Sequence, residues 1–280
     1  MSATASQATS FGYDEFHAPP PALAEYVLYF WRREFPHDRP VTVQPTLPDG
    51  CIDVLTVDDG PLHVMGPETV RADHVVPGGT SIVGVRLRPG VAARVFGRGV
   101  AELVDVSLTL SDLRSSSPIG CRAACRDLVP NGGSYRRLIE AVLPQVERAA
   151  PDDGVGFGVQ WLACHPSASV DDLCTRLGWS PREVRRRFTS ALGFGPKVMQ
   201  RMLRFQRVLA EARRTSTASL SWLAAVAGYA DQAHMTREFR ALANTTPGAL
   251  LSGPFDPTLE PLFLAGWQSA QAHHPKPRRP

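Results

Sequence analysis

The segment Leu173-Cys-Thr-Arg-Leu-Gly-Trp returns 50 residues later as Leu223-Ala-Ala-Val-Ala-Gly-Tyr, and past the glycine the spacing becomes 51. Ser180 then aligns with Asp231, Val184 with Met235, Arg186 with Arg237, Phe188 with Phe239 and Pro196 with Pro247. Each copy must therefore be one small unit of the same shape. Ser169 with Asp172 makes a capping-box start for a helix to Leu177, and Gly178 ends it. Ser180, Pro181 and Glu183 then supply N-cap, N1 proline and N3 glutamate for a second helix. A third follows Pro196 to about Arg214, with Val198, Met202, Phe205 and Leu209 on one face and Arg201 and Arg204 off it. Two helices joined by a short glycine-containing turn are a helix-turn-helix unit. The reading predicts two such units, at 169–190 and 219–241, joined by a linker helix.

Charge divides the chain in the same way. Residues 1–165 hold 14 Arg against 19 Asp and Glu, a net of −5. Residues 166–256 hold 12 Arg and one Lys against 7 acids, a net of +6, and residues 257–280 add +2. An acidic front and a basic back point to two domains, the second with an anionic partner. In the run Pro181-Arg-Glu-Val-Arg-Arg-Arg-Phe, Val184 and Phe188 would be buried, leaving Arg182, Arg185 and Arg186 on or beside the open face. A solvated basic face is the ordinary reading of such a run. At the capped start of a repeated helix pair, a helix that enters the major groove accounts for more.

The front half has another texture. Cys51-Ile-Asp-Val-Leu-Thr-Val follows Pro48-Asp49-Gly50, Leu62-His-Val-Met precedes Gly66-Pro67, and Ser81-Ile-Val-Gly-Val-Arg-Leu-Arg ends at Pro89-Gly90. Short strands at this spacing suggest a small barrel or sandwich. Ala22 to Trp31 reads as a short helix or a helix then a strand, and 91–96 and 101–104 as short helices. The expected fold class is α+β, a β-rich front domain followed by an all-α domain. The expected divisions are a disordered N-terminus (1–18), a β-rich sensory or dimerisation domain (19–115), a helical connector (116–154), a DNA-binding domain (155–252) and a disordered tail (257–280). Arg86 and Arg88 alternate on a strand, so both guanidiniums would share one face. If that face lines the barrel they would clamp a carboxylate or phosphate effector; otherwise they face solvent or pair with Asp or Glu.

Other chemistry finds little foothold. With 43% apolar and 20% charged residues the composition is globular. No apolar window reaches the ~18 residues of a membrane span, and the N-terminus has no secretory pattern. Five scattered cysteines make no disulfide framework and fit a reducing cytoplasm. Cys121 and Cys125, four apart, have no second Cys/His pair at a zinc spacing, so no metal and no cofactor are expected. GxGxxG, Walker, HExxH and GxSxG motifs are absent. An enzyme using the helical part to dock on DNA is the alternative, and it lacks a visible catalytic dyad.

Residues 156–251 resemble the DNA-binding domain of the AraC/XylS transcriptional regulators. Ser219-Leu-Ser-Trp-Leu-Ala-Ala-Val-Ala-Gly-Tyr-Ala-Asp-Gln-Ala-His-Met-Thr-Arg-Glu-Phe-Arg with Pro247 follows that family's C-terminal signature, and Arg204-Phe-Gln-Arg its connecting helix. The resemblance implies seven helices whose two reading helices enter adjacent major-groove segments. It implies DNA contacts from Pro181, Arg182, Arg185 and Arg186, and in the second unit from Asp231, Gln232, Ala233, Thr236 and Arg237. The positions of Arg186 and Arg237 are also structural in relatives. Since Ala233 specifies little, the first helix should discriminate more. Pro48-Asp-Gly-Cys-Ile-Asp-Val-Leu and Gly84-Val-Arg-Leu-Arg-Pro-Gly-Val-Ala resemble the β-rich domain of a subset of these regulators. The partners so implied are duplex DNA at a promoter or operator, a small-molecule effector, RNA polymerase in the case of an activator, and a second copy in a homodimer; no membrane is implied.

Overall fold

The structure, a computed structural model, describes residues 4–9, 12–19, 21–96, 99–114, 133, 135, 137–140, 154–215 and 217–253. Cys121, Cys125, the tail 257–280 and nearly all of the connector 116–154 lie outside them. The front domain carries nine described strands: β1 (Thr4–Thr9), β2 (Gly12–His17), β3 (Val27–Glu34), β4 (Val41–Thr46), β5 (Ile52–Val57), β6 (Leu62–Met65), β7 (Ala72–Pro77), β8 (Ser81–Leu87) and β9 (Ser107–Thr109). Seven form one antiparallel sheet in the order β1-β2-β3-β8-β5-β6-β9, and β4 pairs with β7 apart from it. After the prolines at 19–21 a single 3-10 turn, Pro21–Leu23, precedes β3, so the helix-then-strand reading holds there.

Within residues 1–18, expected to be disordered, residues 4–9 and 12–18 are described. Thr4–Thr9 and Gly12–His17 pair as a hairpin, and β2 continues onto β3 from Tyr13↔Glu34 to His17↔Phe30. Such strands are held by ladder hydrogen bonds to a distant partner, which local apolar periodicity does not display.

Side chains alternate across each strand, so the large sheet has two different faces. One carries Phe30, Val54, Val83, Val85 and Leu87 into a core closed by Val95, Leu103, Leu138 and Ile139. The opposite face carries Tyr29, Trp31 and Arg33 of β3, Cys51, Asp53 and Leu55 of β5, and Ile82 and Arg86 of β8. Together with Gln44, Thr46, His74 and Val76 of the small sheet these line a cavity of about 240 Å³. The front domain is thus a sandwich with a hollow between its sheets.

The back half is helical, and its ends are set by the residues the sequence offers. Val170–Leu177 starts at Ser169, whose hydroxyl accepts from the Asp172 amide while Asp172 returns the bond, and it ends at Gly178 with φ +69°. Pro181–Leu192 starts where Ser180 accepts from the Glu183 amide. The linker helix Pro196–Arg214 follows, then Leu220–Val226 and Gln232–Ala243. The first reading helix buries Val184 and Phe188 completely, and the second buries Met235 and Phe239 completely. The linker helix is buried on more than the one face its periodicity shows. Its first half (Met199, Met202, Leu203) packs in the core of the first unit, its second half (Phe205, Val208, Leu209) in that of the second.

The two domains share side chains. Phe16, Leu28, Tyr29 and Cys51 pack in one cluster with Val159, Phe194 and Met199, and Leu47 packs with Phe205 and Phe239. The loop Leu47-Pro-Asp-Gly-Cys51 rides directly on the linker helix. The Gln206 amide, 1% exposed, donates to the Pro48 carbonyl at 2.9 Å. Gly50 has φ +74°, and a Cβ there would stand 2.9 Å from the Met199 sulfur, so both conformation and space call for glycine.

Candidate nucleic-acid interface and cavity

Each reading helix is a rod with one buried stripe, and what remains outside is what a partner could touch. On Pro181–Leu192 the outward residues include Pro181, Arg182, Arg185 and Arg186. They are not equivalent. Glu183 accepts from Arg186 at 2.9 and 2.7 Å and from Arg187 at 2.6 Å, and those guanidiniums hold its carboxyl down at about 2. Arg187 also lies 4.4 Å over the Trp179 ring. Arg182 and Arg185 have no hydrogen bond or ion pair among the described residues. The structure therefore separates two unspent guanidiniums from a third, Arg186, that is engaged within the helix.

On the second reading helix Gln232, Ala233 and Arg237 are exposed and Thr236 is half-buried. The Asp231 carboxylate accepts from the His234 amide at 2.6 Å and so works as the N-cap, as its alignment with Ser180 in the repeat predicts. The Thr236 hydroxyl donates to the Gln232 carbonyl at 2.9 Å, and the Ser221 hydroxyl donates to the Gln232 side chain at 3.2 Å. Arg240 is a further outward cation that sequence reading passed over, although its place one turn beyond Thr236 is a legible signal. The linker helix braces both units. Arg201 donates to Glu238 at 2.5 Å, and Arg204 to the Pro166 carbonyl at 2.7 Å.

The cavity is built by a second set of residues. Arg86 donates to Asp49 at 2.6 Å through Nη1, and to Asp53 at 2.6 Å through Nη2 and 3.1 Å through Nε. Asp49 also accepts from the Cys51 amide at 2.8 Å, and Asp53 from the Trp31 indole N–H at 3.0 Å. Burial opposes the charge on Arg86, and the two carboxylates more than offset it, so the guanidinium stays protonated. Burial also pushes Asp49 upward, against the pull of Arg86. At another part of the wall His74 meets Glu68 at 3.0 Å and Thr46 at 3.0 Å; the bond to Glu68 raises its pKa. Gly84, the register partner of Trp31, leaves room for the indole, since a Cβ there would fall 2.4 Å from the ring.

Arg86 and Arg88 do not form the expected pair. The strand ends at Leu87; Arg88 donates from Nε to the Ala24 carbonyl at 2.7 Å and does not line the cavity. Arg86 lines the cavity and pairs with Asp49 and Asp53, one of the arrangements expected of it. Sequence reading missed Asp49 and Asp53. The available signal was an acid at an inward position of the alternating run Cys51-Ile-Asp-Val-Leu-Thr-Val. Among the described residues, no group of three His, Cys, Asp or Glu could hold a metal ion. No described helix is long and apolar enough to cross a membrane.

Residues 173–253 match the family described as a helix-turn-helix domain, and residues 15–109 match a domain of unknown function (DUF6597). The chain is an α+β protein whose β-rich region precedes a helical one, and the helical one carries the helix-turn-helix match. The helix-turn-helix match covers less than a third of the chain and takes in most of both helix pairs. Three solved structures of ToxT from Vibrio cholerae are similar over most of their length at 10% identity. ToxT of strain O395 gives a TM-score of 0.41 over 79% of this chain and 95% of that one. Bound to (E)-4-(8-methylnaphthalen-1-yl)but-3-enoic acid it gives 0.42 over 79% and 96%. The unsaturated-fatty-acid-bound protein of strain SCE256 gives 0.38 over 75% and 94%. No curated protein matches the chain.

Proposed function

We propose that this regulator recognises a duplex operator by inserting the N-terminal halves of Pro181–Leu192 and Gln232–Ala243 into adjacent major-groove segments. The observation that carries the reading is the state of the outward groups. Arg182 and Arg185 stand unpaired at a capped helix start, on a helix whose inner stripe, Val184 and Phe188, is wholly buried. A forked guanidinium there suits guanine O6 and N7, and the helix start suits phosphate. The reading places the protein in the cytoplasm, where chromosomal DNA is, as a regulator without catalytic activity. The front domain is its sensory part. Its cavity-lining loop, Leu47 to Cys51, touches the linker helix between the two units, so occupancy of the hollow can alter their spacing.

A salt titration tests the reading. Each phosphate neutralised lowers log K by about 0.9 per decade of salt. A basic domain gripping several phosphates should show a steep negative slope on any duplex, with an operator-specific excess affinity over random duplex. A slope near zero contradicts it.

A further inference from the structure

The hollow of the front domain is walled by rings and contains charges that are already matched. Phe16, Tyr29, Trp31 and Phe35 line it, and the first, second and fourth are more than nine-tenths buried. The oxygens of Asp49 and Asp53 are occupied by Arg86, the Cys51 amide and the Trp31 indole. Glu68 is engaged by His74, and Arg33 is engaged as well. An anionic ligand would have to pull a guanidinium from its carboxylates, and a cationic one would have to share oxygens already bonded. Either would shed its own hydration without a waiting partner, which disfavours an ion here. A neutral hydroxyl is available as well. The Tyr29 hydroxyl is buried and has no hydrogen-bond partner among the described residues; burial pushes its phenol up, so it is a neutral donor.

We infer that the cavity binds an uncharged, planar aromatic molecule bearing a hydrogen-bond acceptor, which lies among the Phe16, Trp31 and Phe35 rings and accepts from the Tyr29 hydroxyl. At about 240 Å³ the hollow falls below the ~300–1,000 Å³ usual for ligand pockets, so the occupant has one or two rings. Offset or edge-on ring contacts hold such a molecule without charge. The inference rests on the reading of the front domain as a sensor and adds the class of what it senses.

Three probes of one shape test it on the full chain: cinnamyl alcohol, cinnamate and cinnamylammonium, followed by melting temperature and tryptophan fluorescence. The alcohol should raise the melting temperature, perturb tryptophan emission and bind at least about tenfold more tightly than either ion, a difference of ~1.4 kcal/mol. Tyr29→Phe should weaken the alcohol about tenfold while leaving the circular dichroism unchanged. Val76→Trp should fill the hollow and abolish the response. Equal or tighter binding of cinnamate or cinnamylammonium overturns the inference, and so does silence from all three probes on the folded wild-type chain. None of these outcomes bears on operator binding, which the salt titration judges separately.

Discussion

In the proposed reading Arg182 and Arg185 carry the base-reading role because no described residue competes for their donors, whereas Arg186 is bound to Glu183. A guanidinium forked onto guanine discriminates by about 1–3 kcal/mol, while a phosphate contact lowers affinity for all sequences alike. Arg182→Ala or Arg185→Ala should therefore erase preference at one or two base pairs, and Arg186→Ala should leave the recovered motif unchanged. A second prediction concerns Glu183. Its replacement by Ala frees Arg186 and Arg187, so binding to unrelated duplexes should strengthen, with a salt slope steeper by about 0.9 for each phosphate gained. A weaker or unchanged non-specific affinity would show that the cluster is only a helix brace. Histidine 74 supplies a pH test in the front domain. Its pKa is raised by Glu68, so its stabilising contribution is complete below the unfolded value of about 6.5 and is lost as pH rises through the raised value. The melting temperature should fall over that window, and His74→Gln should remove that part of the fall.

At the scale of the element, the helical half was largely legible and the front half only in part. Caps, N1 prolines and glycine stops act within one turn, so Ser169, Ser180, Gly178 and Pro196 announce their helices in any window that contains them. The hairpin Thr4–Thr9 and Gly12–His17 gives no such notice, because its support comes from β3. The cavity's ionic cluster is hidden for the same reason: Arg86 meets Asp49 and Asp53 across 37 and 33 residues of chain. Inward alternation could place each on a face, but could not say which strands would adjoin. Element packing also yields a prediction. Val184 is completely buried at the inner stripe of the first reading helix. Val184→Asp should unfold that unit at a cost of about 4 kcal/mol or more, seen as loss of operator binding with reduced helicity. Thr236→Ala leaves the fold intact and should change preference about 10 base pairs from the position read by Arg182, one helical turn along the duplex.

The whole molecule is less divisible than its charge profile implies. An acidic front and a basic back read as separate domains, yet Phe16, Leu28, Tyr29 and Cys51 sit in one apolar cluster with the first helix-turn-helix unit. Residues 156–256 expressed alone should still bind DNA but melt below the full chain, because cutting there bares apolar surface worth about 25 cal/mol per Å². The contact between the Pro48–Gly50 turn and the linker helix makes a matching case. Gly50→Val places a side chain against Met199, and it should separate the domains' responses without touching either reading helix. The most direct test of two unequal reading helices is selection of bound duplexes from a random-sequence pool by the full chain. The selected duplexes should share a motif with two elements about 10 base pairs apart, the stronger one lost on Arg182→Ala or Arg185→Ala and the weaker on Thr236→Ala. Recovery of a single short element, or of a motif that both arginine variants leave intact, would contradict it.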